Sequence, residues 1–328
     1  MLQSPFALSL TLFVLCGVVG MTSGQPAEAG EESGSKVRRF ARFEVGGTAY
    51  YGIVEGDQVR QIEGDLFGEW KPGKRTFPLS SVKLLVPVAN PSQVLALAGS
   101  YKSHLGGANR VTTVTTVTKI TTDVNSGETS SNSDTTVETV EPGQIPEKFQ
   151  IPQVFFKTPS CLIGDGQSIV IPRGTEVVHY EAELVIVIGR KAQHVSEEEA
   201  RDCILGVTCG NDVSARDWQK NDVQWWRAKG SDTFGPCGPY IASGLDYDNL
   251  LVQLRLNGDV KQEENTNQFI HNVPKMVSAI SQHVMLYPGD LIFTGTSGRT
   301  SEIKPGDTVE VEIEGVGTLT NPVAAASN

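Results

Sequence analysis

Two glutamates and one aspartate have the residue types and spacing of a metal site. Glu181 and Glu183 lie in YEAELVIVIG (180–189), a run that predicts a strand. Because side chains alternate along a strand, both glutamates point to one face, where like charges repel unless a cation lies between them. A second predicted strand, 206–212, ends on Asp212 and would return it to the same place. Three carboxylates with open water positions suit Mg²⁺ or Mn²⁺, with Ca²⁺ as a further alternative.

A predicted helix connects these two strands. Ser196 followed three residues later by Glu199 has the pattern of a capping box, and apolar residues continue at helical spacing as far as Val207. The order strand, helix, strand is what brings the aspartate back to the glutamates. The sequence has no His or Cys cluster with zinc spacing, which argues against zinc. The alternative to a metal site is a solvated strand edge whose glutamates pair with lysines.

Five blocks of the sequence resemble the fumarylacetoacetate hydrolase family in their order and spacing. The resemblance runs from about Asn90 to Val323. It implies an α+β, β-rich fold, a mixed β-sandwich roll with a small N-terminal β domain, and usually a homodimer with a divalent metal at the site. The blocks are HYEAELVIVIG (179–189), GNDVSARDWQ (210–219), RAKGSDTFGPCGPYI (227–241), LNGDVKQ (256–262) and PGDLIFTGTSG (288–298).

The resemblance also implies roles for individual residues. The predicted catalytic histidine lies in AGSYKSH (98–104), and the remaining positions come from the five blocks. By resemblance, the metal ligands are Glu181, Glu183 and Asp212, the substrate-binding residues are Tyr101, Arg216, Gln219 and Thr296, and the catalytic residues include His104 and Lys229.

The chain departs from the family pattern beside that histidine. Family hydrolases often pair it with a glutamate three residues later, which helps to orient the attacking water; here that position is Gly107. We predict that Glu147, just before the segment 151–157, takes this catalytic role instead. If water is not delivered, the same site would support other reactions of the enolate.

The predicted reaction is hydrolysis of a C–C bond in a 2,4-dioxo acid, fumarylacetoacetate-like or acylpyruvate-like, through a metal-stabilised enolate. His104 would activate water or protonate C3, and Lys229 would support the developing oxyanion. Alternatives on the same site are a 2-oxo acid decarboxylase, a tautomerase or isomerase, and a ureidoglycolate lyase-type activity. Two other classes stay open: a non-catalytic metal-binding or ligand-binding protein, and an interaction protein that acts through the insertion described next.

Composition suggests how the chain is organised. The 328 residues can hold one large and one small domain, and the net charge of −11 argues against a nucleic-acid partner. Short alternating runs predict a small β domain at 37–89, followed by the catalytic domain at 90–325. A Thr-rich, low-complexity insertion at 108–143 predicts a protruding hairpin, with disorder as the alternative.

The N-terminal residues resemble an export signal. Residues 1–24 carry no charged side chain, are mostly apolar and end in small residues, which predicts a signal peptide followed by a linker at 25–36. The protein is therefore expected in the periplasm or outside the cell. The alternatives are an uncleaved membrane anchor, which would bring the protein to a membrane, and a buried helix. Cleavage would leave four cysteines, whose scatter through apolar segments predicts buried free thiols.

Overall fold

Strands dominate the part of the chain that the structure describes. The computed structural model describes residues 37–106, 111–122, 126, 129–140 and 144–327. The predicted signal peptide and linker, and Gly107, lie outside these residues, so the prediction of export stays a prediction. Within the described residues, no helix is both long enough and apolar enough to cross a bilayer.

The first nine strands include the N-terminal region and both sides of the insertion. The N-terminal strands are β1 (Arg38–Val45), β2 (Thr48–Glu55), β3 (Gln58–Gly64), β4 (Trp70–Pro78) and β5 (Lys83–Leu84). They are followed by β6 (Val94–Ala98), by the insertion strands β7 (Val111–Thr122) and β8 (Thr129–Val140), and by β9 (Gln153–Lys157).

The remaining strands lie in the C-terminal half of the chain. They are β10 (Leu162–Ile163), β11 (Ile169–Ile171), β12 (Val178–His179), β13 (Ala182–Ile188), β14 (Ile204–Asn211), β15 (Ser214–Ala215), β16 (Gly235–Ser243), β17 (Leu251–Leu256), β18 (Asp259–Asn265), β19 (Leu291–Phe293), β20 (Thr308–Ile313) and β21 (Gly317–Ala325). The helices are α1 (Glu197–Cys203), α2 (Arg216–Asn221), α3 (Trp226–Gly230) and α4 (Val273–Ser281).

Two sheets build the predicted β-rich α+β fold, which is confirmed. The larger sheet has the main order β4-β3-β2-β1-β16-β14-β13-β19-β6-β9, and the smaller has the order β11-β21-β20-β17-β18. The N-terminal strands join the larger sheet because β1 pairs antiparallel with β16, from Arg38 opposite Ser243 to Phe40 opposite Ile241. The predicted domain boundary near Asn90 therefore falls within one continuous sheet.

Strand β13 lies at the centre of the fold, and all seven of its residues are buried. Leu184 and Ile186 belong to a core that also includes Leu254 and Val311 of the smaller sheet. The alternate residues Val185 and Val187 belong to a second core on the opposite face. A strand that is covered on both faces has little freedom to shift, so it holds the glutamates at its start rigidly.

The helices start where the sequence predicts. Ser196 and Glu199 form both hydrogen bonds of the capping box at the start of α1, which confirms that prediction. The helix ends at Cys203, however, and does not continue to Val207. Residues from Ile204 onward are strand β14, because β-branched side chains favour extended backbone and the segment pairs with β13 and β16 on either side.

The described strands of the insertion pair with each other, as the predicted hairpin requires. β7 and β8 pair antiparallel from Val111 opposite Val140 to Thr122 opposite Thr129. The pairing is consistent with the Thr- and Val-rich composition, since β-branched residues fit a pleated surface.

The cysteines at 161, 203, 209 and 237 are free and buried, as predicted. Burial raises the pKa of the thiols of Cys209 and Cys237, so little reactive thiolate is present at neutral pH.

We expect iodoacetamide to label these two cysteines at least ~10-fold more slowly in native protein than in urea. Peptide mass spectrometry measures each site separately. Equal rates in the two states would contradict the buried placement.

Candidate active site

Three carboxylates meet where β13 begins and β14 ends. The strands pair antiparallel with Ala182 opposite Asn211, so Asp212 lies beside Glu181, and its backbone N–H donates to the Glu181 carbonyl at 2.9 Å. One oxygen from each of Glu181, Glu183 and Asp212 lies within 4.8 Å of the others, and all three residues are buried. The structure therefore brings the three predicted ligands together and excludes the solvated strand edge.

Three cations neutralise this cluster. The Lys229 ammonium, itself buried, lies 2.6 Å from a Glu181 oxygen and 2.7 Å from an Asp212 oxygen. Arg216 lies 2.6 Å from the other Glu181 oxygen. Lys157 lies 2.6 Å from the other Asp212 oxygen. A buried carboxylate is costly unless it is paired, and these contacts explain how Glu181 and Asp212 are accommodated.

Lys157 was not predicted from the sequence. Its side chain is fully buried and donates to Asp212 and to the backbone carbonyls of Lys229 and Phe234. It stands at the end of β9, on the same face as Phe155. The sequence feature that could have identified Lys157 is its position at the end of an apolar strand, QVFFK. A lysine is almost never fully buried without a partner, so a lysine in such a strand indicates a nearby carboxylate.

The two glutamates have opposite pKa shifts. Burial would raise the pKa of Glu181, but Lys229 and Arg216 outweigh it and lower that pKa to about 2. Burial, together with the charges of Asp212 and Glu181, holds the pKa of Glu183 well above its ordinary value. Glu183 accepts a hydrogen bond from the Gly295 N–H at 2.7 Å, and within the described residues no salt bridge reaches it. An additional positive charge at this cluster would therefore be balanced mainly by Glu183, which lacks the cationic partners of Glu181 and Asp212.

The donor set fits a hard divalent cation. A carboxylate has about four lone-pair sites, so Glu181 and Asp212 keep acceptor capacity after binding their cations. The cluster offers oxygen atoms alone, with no histidine or thiolate, which favours Mg²⁺ or Mn²⁺ over zinc. Glu181, Glu183 and Asp212 are the residues that would hold such an ion.

His104 lies beside this cluster with one ring nitrogen occupied. Its Nδ1 is 2.8 Å from the Gly298 carbonyl, and because a carbonyl only accepts, Nδ1 carries the proton. In the neutral imidazole the other ring nitrogen, Nε2, is then the acceptor. His104, Glu181 and Lys229 line the same cavity of about 250 Å³.

Three of the four predicted substrate-binding residues line the cavity. Arg216, Gln219 and Thr296 line the cavity, and Arg216 donates to the Gln219 side-chain oxygen at 2.8 Å. Tyr101 is buried against Phe269, with ring centroids 4.6 Å apart, and does not line the cavity. Burial and the nearby charge of Glu183 raise the Tyr101 pKa well above its ordinary value, so Tyr101 stays neutral.

Glu147, the predicted partner of the histidine, is exposed on a short 3₁₀ turn, Glu147–Phe149. It does not line the cavity, whereas Phe149 from the same turn does. The group that orients His104 is instead the Gly298 carbonyl. Gly298 ends the PGDLIFTGTSG block, but a backbone carbonyl leaves no side-chain signal in a sequence.

Gln262 is a second residue that the sequence analysis did not identify. Its side chain donates to the Thr296 hydroxyl at 2.9 Å and accepts from the Ala182 N–H at 3.0 Å. Thr296 in turn donates to the Ala182 carbonyl at 2.9 Å. The amide thereby fixes Thr296 against the start of β13. The sequence feature that could have identified Gln262 is its position at the end of the LNGDVKQ block.

Comparison with known proteins identifies the class of enzyme. Residues 120–324 match the model of the fumarylacetoacetate (FAA) hydrolase C-terminal family, and residues 38–87 match the Rv2993c-like N-terminal family. The chain therefore belongs to the fumarylacetoacetate hydrolase family, whose members are enzymes. Protein Rv2993c of Mycobacterium tuberculosis is 39% identical over 268 residues, covering 81% of this chain and 87% of that protein.

Named relatives carry out several reactions. Oxaloacetate tautomerase fahd2 of Xenopus laevis is 33% identical, covering 74% of this chain and 69% of that protein. The structure of 2-hydroxyhepta-2,4-diene-1,7-dioate isomerase from Mycobacterium marinum is 35% identical with a TM-score of 0.71, covering 89% of this chain and all of that one. Maleylpyruvate hydrolase from Sphingobium sp. SYK-6, solved with manganese(II) and pyruvate, is 25% identical with a TM-score of 0.64, covering 88% of this chain and all of that one. The family thus includes hydrolases, isomerases and a tautomerase.

Proposed function

We propose that this protein is a divalent-metal-dependent hydrolase that cleaves the C3–C4 bond of a 2,4-dioxo acid. The observation that carries the proposal is one cavity lined both by His104, whose Nδ1 is held by the Gly298 carbonyl, and by Glu181 of the buried carboxylate cluster. A metal ion for this cluster is supported by its donor set and by the manganese in the maleylpyruvate hydrolase structure.

Glu181, Glu183 and Asp212 would hold Mg²⁺ or Mn²⁺, which when bound supplies Lewis acidity toward the 2-oxo group of the substrate. Arg216 and Lys229 add positive charge on the same side of the cavity, where the substrate carboxylate and the developing oxyanion would lie. Thr296 offers a hydroxyl whose position Gln262 fixes.

His104 moves the proton. Its Nε2 removes a proton from water, the water oxygen forms a bond to C4, and the C3–C4 bonding electrons pass to C3 and the 2-oxo oxygen. The imidazolium then returns that proton to C3. The products are a carboxylic acid from the acyl side and pyruvate, so one water molecule accounts for all atoms. The Gly298 carbonyl keeps the imidazole in the tautomer that this step requires.

A tautomerase is the second candidate, and one observation favours it. Among the described residues that line the cavity, the only carboxylate is that of Glu181, which Arg216 and Lys229 already bind. His104 therefore has no acidic partner there to help orient water. Moving a proton between C3 and the 2-oxo oxygen requires His104 but no water, as an oxaloacetate tautomerase activity would.

Two variants test the histidine and the predicted glutamate. We expect His104→Gln to lower kcat by at least ~100-fold on acetylpyruvate, because a positioned general base contributes about that much. Glu147→Gln is expected to retain full activity, since Glu147 lies outside the cavity. Pyruvate release in the presence of Mg²⁺ or Mn²⁺ measures hydrolysis, and enol absorbance of oxaloacetate measures tautomerisation. Loss of activity in Glu147→Gln would restore that residue to the mechanism, and enol conversion without pyruvate release would favour the tautomerase.

A further inference from the structure

The cavity has two chemically different walls. The polar wall carries His104, Glu181, Arg216, Gln219, Lys229 and Thr296. The rest of the lining, the apolar wall, consists mainly of Leu97, Leu105, Phe149, Phe155 and Trp225. A 2-oxo acid head belongs on the polar wall, because Glu181 of the carboxylate cluster and the cations Arg216 and Lys229 are there. The part of the substrate beyond C4 must then meet the apolar wall.

The aromatic side chains of the apolar wall are held in place. Phe155 and Trp225 pack edge to face with ring centroids 5.3 Å apart, and the Lys229 ammonium lies 5.3 Å from the Phe155 ring centre. The two walls therefore meet directly at Phe155. Phe149 packs on Gly99, where a Cβ would collide with the ring, and its carbonyl bonds the His271 ring at 3.0 Å.

No charged group on the apolar wall is available to receive a second carboxylate. Among the described lining residues, Arg216 and Lys229 carry positive charge, but both contact Glu181 on the polar wall, where the head of the substrate would lie. Lys148 lies 5.0 Å from the Phe149 ring centre, but it is exposed and does not line the cavity. Placing a terminal carboxylate against these aromatic rings would desolvate it without a partner.

We infer that the enzyme selects 2,4-dioxo acids whose acyl group is uncharged and apolar, and discriminates against those with a second, terminal carboxylate. This inference rests on the proposed function for the orientation of the substrate head. Each methylene that the apolar wall buries adds about 4-fold to affinity or kcat/KM. A terminal carboxylate of equal length gains none of this and loses hydration.

Butanoylpyruvate and succinylpyruvate form a matched pair of substrates, because they differ only in a terminal methyl or carboxylate. We expect kcat/KM for butanoylpyruvate to exceed that for succinylpyruvate by at least ~10-fold with Mg²⁺ or Mn²⁺ present. The same preference is expected in calorimetric binding to His104→Gln, in which turnover should be at least ~100-fold slower. Equal or reversed preference in both measurements would overturn the inference.

Neighbouring residues supply matched variants. Phe155→Ala and Trp225→Ala should reduce the preference several-fold, whereas Phe156→Ala and Trp226→Ala should leave it unchanged, since those side chains are 61% and 66% exposed. Leu105→Lys should shift the preference toward succinylpyruvate by adding a cation to the wall. An equal effect of the exposed-site variants, or no shift in Leu105→Lys, would count against the inference.

The two measurements separate the inference from the proposed function. Binding that favours butanoylpyruvate without hydrolysis would support the apolar acyl site and reject the hydrolase. Hydrolysis of both substrates at equal rates would support the hydrolase and reject the selectivity.

Discussion

Glu183→Gln is expected to weaken Mg²⁺ or Mn²⁺ binding by at least ~100-fold, measured by calorimetry at neutral pH. Loss of groups that merely support a ligand costs about 10- to 100-fold in affinity, so loss of a ligand charge should reach or exceed the upper end of that range. Glu183 is 1% exposed and lies within 4.8 Å of the other two carboxylates, so water cannot easily replace it.

Although Glu183→Gln should weaken metal binding, it should raise the stability of the metal-free protein. The pKa of Glu183 is held well above 4.5 in the folded state, so the native protein keeps a proton that the unfolded chain releases. Stability therefore falls as pH rises from about the ordinary glutamate value toward the folded pKa. Glu183→Gln removes this loss, so the metal-free variant should unfold at a higher urea concentration than wild type at pH 7.

Glu312→Gln is the matched control for Glu183→Gln. Glu310 and Glu312 also alternate on one strand, but Glu312 is exposed and pairs with Arg255 at 2.8 Å. We expect this variant to keep its metal affinity and to change stability by less than about 1 kcal/mol. Unchanged metal affinity in Glu183→Gln would reject the proposed ligand set, whatever the control shows.

Lys157→Met should destabilise the protein by about 3–5 kcal/mol, the usual cost of removing one partner of a buried ion pair. The Lys157 side chain is fully buried, and its loss removes the donor to an Asp212 oxygen and to the Lys229 carbonyl, whereas the Phe234 carbonyl keeps the Val213 N–H. The methionine chain fills a similar volume, so most of the loss is electrostatic. Urea unfolding of the metal-free protein measures it.

Lys304→Met is the control for Lys157→Met, since Lys304 makes an exposed ion pair with Glu302 at 3.3 Å. It should change stability by less than about 1 kcal/mol. A divalent ion should restore part of the stability that Lys157→Met loses, because it supplies positive charge to Asp212. A variant as stable as the control would show that Lys157 does not compensate the carboxylate cluster.

The carboxylate cluster could be predicted from the sequence because its geometry follows from strand alternation and from the pairing of adjacent strands. Glu181 and Glu183 are two residues apart, and alternation in a strand places them on one face. Asp212 is carried back by a single connection through α1, and antiparallel pairing of adjacent strands sets its position. These relations are local or involve neighbouring elements, so pattern and spacing were enough.

The groups that complete the site depend on contacts between distant parts of the chain. Lys157 reaches Asp212 because β9 pairs with β6, β6 with β19, and β19 with β13. Gly298 meets His104 across 194 positions. Such pairings depend on the order of strands in the sheet, which single-sequence patterns do not specify. The prediction of Glu147 used proximity in sequence, whereas the histidine is oriented by a carbonyl from a remote loop.

The apolar wall is interrupted by the insertion: Leu105 precedes the β7–β8 hairpin in sequence and Phe149 follows it. The carboxylates, by contrast, lie where β13 begins and β14 ends, beside buried residues of both strands. Chain length can therefore change between Leu105 and Phe149 while the catalytic centre stays intact. The segment between Leu105 and Phe149 is thus the place where evolution or protein engineering can alter which substrates the enzyme accepts. The carboxylate cluster is the part that must be preserved.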